Sequence, residues 1–203
     1  MGRIKSALEI AMERTDSVKG DKSSIGQFEA RQRGKRLAND FLENGKINIE
    51  EEIKKTAKEE QAALKQGIFD VLHSQITVPA IKDDIKRIEN AGKGLQAVIG
   101  GSQVAGLFRQ LAQTLSRYLD EAERYEEAIR RQYAPKLRQK EEELSRRLGR
   151  EVRIDPFQDP EFLAFFNQNM NALKVNYQAA VDQVKDEAAR LFESTSSSGS
   201  DKR

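Results

Sequence analysis

The chain has 203 residues, with 35 Lys and Arg against 33 Asp and Glu, a formal net charge of +2 and a single His. It has no Cys, which excludes disulfides, thiolate catalysis and thiolate-bound metal. One His leaves no multi-histidine metal site within a chain and argues against a histidine-based triad. Near-neutral charge forces no polyanionic partner, and Ala, Leu, Glu, Lys and Arg together make up nearly half the residues, the composition of long helices and coiled coils.

From Gly2 to about Val18, the apolar positions Ile4, Leu8, Ala11, Thr15 and Val18 step by alternate fours and threes, the narrow seam of a coiled coil. KGDKSS then reads as a turn, with Ser23 or Ser24 as N-cap of a second helix over about 24–43. That helix places Ile25, Phe28, Leu37, Ala38, Phe41 and Leu42 in its packing pattern, while its middle, ARQRGKR, is polar all round. It stops at Asn44-Gly45, where both residues tolerate left-handed backbone. Asn48 followed by Glu51 is a capping signature, and Ile49, Ile53, Ala57, Leu64, Ile68 and Leu72 predict one helix running to Val78-Pro79. Ile81, Ile85, Ile88, Gly92, Leu95 and Ile99 give a strict heptad that Gly100-Gly101 breaks.

The next segment is the longest. Val104, Phe108, Leu111, Leu115, Tyr118, Ala122, Tyr125 and Ile129 keep the alternation, and Tyr133 and Leu137 then stutter at Pro135. The pattern predicts a kink or short break near Tyr133, further helix to Leu148 and a stop at Gly149. Glu151-Val152-Arg153-Ile154-Asp155 alternates polar and apolar, as in a connector laying Val152, Ile154 and Phe157 on a helix. Asp159-Pro160-Glu161 is a strong helix start. The last helix carries Leu163, Phe166, Met170, Leu173, Tyr177, Ala180, Val184 and Leu191, and STSSSGSDKR reads as a disordered tail.

The predicted fold is all-α: an elongated helical bundle built of antiparallel coiled-coil hairpins, with about six helices, several of them long. Residues 1–99 form N-terminal helical segments, 100–193 a long helical hairpin of the same elongated domain, and 194–203 the tail. The last helix should pack back along 102–148. Segments 80–99 and 102–133 should form an antiparallel pair about the bend at Gly100 and Gly101, and Pro135 is a further hinge candidate. The longest nearly uncharged stretch, Leu95 to Phe108, is shorter than the roughly 20 apolar residues a spanning helix needs, and the N-terminus lacks a secretion signal, so the expected compartment is cytoplasmic.

Four constellations bear on function. Asp70 and His73 share a helix face at metal-ligand spacing, a weak metal candidate with no second pair to complete it. Arg31, Arg33, Lys35 and Arg36 form the densest basic cluster, a candidate patch for nucleic acid or anionic lipid. The glycine-rich stretch from Gly92 to Gly106 lacks the Walker order of a phosphate loop and reads as a bend with close packing. Phe157, Phe162, Phe165 and Phe166 crowd into ten residues, as the local core at the start of the last helix or as a partner anchor. No catalytic residue and no cofactor is indicated. The sequence reading is a non-enzymatic scaffold, adaptor or accessory subunit that binds a protein partner or a second copy through coiled-coil seams. The alternative is an anion-surface binder using Arg31 to Arg36.

Overall fold

The computed structural model describes residues 7–45 and 47–198, with side chains over 24–45 and 47–195. Among these residues the fold is all-α: six helices, a single 3-10 turn and no strand. In chain order they are α1 (Ala7–Asn44), α2 (Ile49–Lys55), α3 (Lys58–Ser74), α4 (Lys82–Ile99), α5 (Ser102–Leu148) and α6 (Pro160–Ser198). No helix among the described residues is long and apolar enough to cross a membrane. The side chains of the seam from Ile4 to Val18 lie outside the described residues.

The local stop signals act where the sequence puts them. Gly45, Gly100, Gly101 and Gly149 all have positive φ, between 62° and 83°, and each sits just past a helix end or between two helices. That region costs an L side chain about 1–2 kcal/mol, so glycine fixes these boundaries. The Asn48 side chain accepts from the Glu51 N–H and opens α2. Asp159 Oδ1 accepts from the N–H groups of Glu161 and Phe162 and opens α6.

Several boundaries differ from the sequence reading, among them the end of α3, which stops at Ser74, short of the expected Val78-Pro79. α1 is a single helix of 38 residues, with no turn at KGDKSS. Gly20 lowers helix propensity by only about 1 kcal/mol, too little to stop a helix propagating from a packed segment. The helix expected from Ile49 onward is broken at Thr56 and Ala57. Thr56 turns its hydroxyl to the Glu52 carbonyl and its own carbonyl to the Gln61 amide, so side-chain bonds replace helical ones. α5 is one continuous helix through Pro135, so of the kink or short break expected there the break is absent. A proline inside a helix costs about 3 kcal/mol, through the lost hydrogen bond and the clash of its ring with the preceding turn. Burial of Ile129 and Tyr133 on the preceding turns returns about 1.5–3 kcal/mol each. α6 continues to Ser198, into the polar stretch where no helix was predicted; Ser194 and Thr195 bond their hydroxyls back to the Leu191 and Phe192 carbonyls.

The chain divides into two compact units. The first takes its described residues from Met1–Ile76, Asn90–Ala105 and Ala188–Arg203, and the second comprises Thr77–Glu89 and Gly106–Glu187. In the first, Ala30, Ala38, Leu64, Ile68, Leu72, Leu95 and Phe192 are buried, and Phe69 stacks on Phe192 at 4.3 Å. In the second, α5 and α6 pair antiparallel: Tyr118 meets Tyr177, Tyr125 meets Asn169 and Tyr133 meets Phe162, so the α6 number falls as the α5 number rises. The α5 seam is buried at Phe108, Leu111, Leu115, Tyr118, Ile129 and Tyr133. Ile81, read as the first seam position of α4, is 59% exposed, because the helix starts one residue later and the Asp84 carboxylate caps the N–H groups of Ala80 and Ile81.

Candidate functional site

The basic cluster sits on α1 where that helix crosses α3. Ala30, Gly34 and Ala38 recur every four residues and are buried. A methyl carbon built on Gly34 would fall within 3.0 Å of the Leu64 carbonyl oxygen, and one on Gly67 would fall within 3.0 Å of the Arg31 carbonyl oxygen. The two backbones therefore touch through glycine. This segment, polar all round by sequence, packs through its smallest residues rather than through an apolar stripe.

Close packing on that face sends the cations to the flanks. Arg31 donates to Asp70 Oδ2 from Nε at 3.1 Å and from Nη2 at 2.7 Å, and Gln66 donates to Asp70 Oδ1 at 2.8 Å. Partial burial pushes the Asp70 carboxyl up, but the bonds from Arg31 and Gln66 and the charges of Arg31 and Lys35 outweigh it and hold the group below the ordinary carboxylate range. Arg33 donates to the Thr56 hydroxyl at 2.8 Å and lies 3.8 Å from Glu60. Lys35 is half-buried and Arg36 exposed. Two of the four cations thus tie α1 to its neighbours.

Both oxygens of Asp70 are occupied, and His73 stacks its ring on Phe69 at 5.0 Å. Among the described residues no group of three or more His, Asp or Glu is arranged to hold a metal ion. In the glycine-rich stretch, Gly94 is packed against the side chains of Leu72, Phe41 and Ile49. A larger residue there would push into that core.

The four phenylalanines separate by environment. Phe162 is 1% exposed and forms a core with Ile129 and Tyr133, against which Phe165, Phe166, Leu137 and Met170 pack. Phe157 is 37% exposed, meets Phe162 and Phe166 edge-on, and carries the Arg130 guanidinium 4.7 Å above its ring. Three of the rings are packed together and one faces outward.

Beside this core Lys140 bonds Asp159 at 2.7 Å and lies 3.1 Å from Glu161, which Lys136 also holds at 2.8 Å. The Asp159 side chain is almost wholly buried. The Lys140 ammonium, helped by the two capped N–H groups, holds its carboxyl below the ordinary range. The Glu161 carboxyl is lowered by Lys136 and Lys140, and Lys140 itself is pushed up, mainly by its bond to Asp159. Further along, the connector is pinned to α5: the Val152 N–H donates to Ser145 Oγ and the Ile154 N–H to Glu141 Oε1. An open cleft of about 360 Å³ lies there, lined by Arg138, Glu142 and Arg146 of α5 and by Glu151 and Arg153.

Besides Ile81, Tyr125 of the α5 seam is exposed, and two residues read as packing positions on α1 face outward. Ile25 and Phe28 on α1 are 56% and 63% exposed. The spacing-four stripe of Ala30, Gly34 and Ala38 is the sequence signal that would have turned them away from the core.

The family model described as "Family of unknown function (DUF6657)" matches residues 50–190, well over half the chain, and the chain belongs to that family. No curated protein and no solved structure gives a significant match. The matched span opens within α2 and closes within α6, so α1 lies outside it.

Proposed function

We propose that the chain is a non-enzymatic helical scaffold that binds a protein partner by adding the partner's helix to the outward face of α1. The observation that carries this reading is the exposure of Ile25 and Phe28, one turn apart, on a helix whose opposite face is committed to α3. Covering the two side chains is worth about 2–4 kcal/mol together, enough for a hot spot within a larger interface. The arginine cluster supports an anion surface less well, since Arg31 and Arg33 spend their charge on Asp70, Thr56 and Glu60.

The test places a photo-crosslinking amino acid at Phe28 of the full chain in the source cell, with and without nuclease and high salt. The expected result is one stoichiometric crosslinked protein, resistant to both treatments and lost in the I25D variant. Crosslinks to nucleic acid, or a diffuse spread of proteins unchanged by I25D, would overturn the reading.

A further inference from the structure

The connector after α5 has two unlike edges. Its even residues Val152 and Ile154 are half-buried, and their N–H groups are bonded to Ser145 and Glu141 of α5. Its odd residues Glu151, Arg153 and Asp155 are exposed. Glu151 and Arg153 pair with each other at 3.0 Å, two residues apart on one face. A repeat of two in burial, in backbone bonding and in side-chain pairing is the repeat of an extended strand. In such a strand the N–H and C=O of one residue point to one edge and those of the next residue to the other. The even residues spend their edge on α5. The odd edge carries the N–H and C=O of Glu151 and Arg153, which bond no partner among the described residues.

The geometry points to self-association: two copies of this chain pair antiparallel along Glu151-Val152-Arg153, about a two-fold axis through Val152. In that register Glu151 of each copy stands opposite Arg153 of the other, and each such pair exchanges both of its backbone bonds. Only open groups are used, and the groups bonded to α5 are left alone. Opposite charges face across the strands at both ends. Moving the axis to Glu151 or to Arg153 would set like charges face to face, so the charge order selects one register. The internal Glu151–Arg153 pair that must be exchanged is highly exposed on both sides and therefore weak. Exposed apolar residues flank the segment, Leu148 at 57% on one side and Phe157 on the other. An antiparallel pairing brings the Leu148 end of each copy beside the Phe157 end of its mate, adding apolar cover to a short ribbon that alone would be marginal.

The experiment is sedimentation of the full chain over a range of concentrations, with charge variants at two exposed positions. The wild-type chain should show a concentration-dependent dimer. E151R and R153E each turn both cross-strand pairs into like charges and should weaken the dimer about tenfold or more. The two single variants mixed in equal amounts should associate again, because each then meets opposite charges in the other, and the E151R/R153E double variant should recover self-association. A wild-type chain that stays monomeric, single variants that dimerise as well as wild type, or a mixture that fails to associate would overturn the proposal. This inference does not rest on the α1 face: I25D should leave the dimer intact, so loss of one result leaves the other standing.

Discussion

Replacing Gly34 by Ala should destabilise the first unit, although alanine is the better helix former. Substituting Gly by Ala within a helix gains about 1 kcal/mol from propensity. At Gly34 the new methyl would press on the Leu64 carbonyl oxygen and approach the Ile68 nitrogen, both backbone atoms that no rotamer change can move aside. A relaxed carbon–oxygen contact of about 3.3–3.6 Å requires α1 and α3 to part by about an ångström. Overpacking of this kind costs about 3 kcal/mol at its upper end, so the net loss should be about 2 kcal/mol. Urea titration followed by circular dichroism should show the midpoint falling by about 1 M, with faster hydrogen exchange across α3. Gly67→Ala should behave alike, since it would meet the Arg31 carbonyl. The double variant should cost less than the two singles combined, because one separation relieves both contacts. Gly106→Ala is the control: it lies inside α5 with nothing within 4 Å and should stabilise by up to about 1 kcal/mol. A Gly34→Ala chain as stable as the Gly106→Ala chain would refute the close-crossing argument.

Asp159→Ala removes the α6 cap and should cost about 0.5–2 kcal/mol, read as a lower unfolding midpoint for the second unit. The carboxyls of Asp159 and Glu161 are lowered in the fold, so their contribution is present above the ordinary carboxylate range and fades as pH falls through the lowered values. Lys140 is raised, so its contribution is complete below the ordinary lysine range and fades only as pH rises through the raised value. An acid titration of stability should therefore be steeper for wild type than for Asp159→Ala, and equal slopes would remove the clamp from the account. Phe162→Ala should cost about 3–5 kcal/mol and Phe157→Ala well under half of that, because only the first ring is enclosed; chemical denaturation of the two variants decides it. Gly100→Ala forces an L side chain to a φ of 83° and should destabilise by about 1–2 kcal/mol, with calorimetry as the check.

The helical class, the stops at Gly45, Gly100-Gly101 and Gly149, the caps at Asn48 and Asp159 and the long α5 seam were all legible in the sequence. Each depends on backbone angles, on side-chain oxygens two or three residues away or on a spacing within one helix, and such signals are written locally. The union of 7–44 into one helix, the break at Thr56 and the passage through Pro135 were not legible, because each turns on whether distant packing outweighs a local preference of a few kcal/mol. The candidate surfaces divide in the same way. The phenylalanine and arginine clusters stood out as residue types, but which ring faces outward and which cations are already paired depended on neighbours 5 to 39 residues away. Ile25 and Phe28 show why most plainly: a helix has several faces, its sequence says which residues share one, and only the helix that packs against it decides which face is left for a partner.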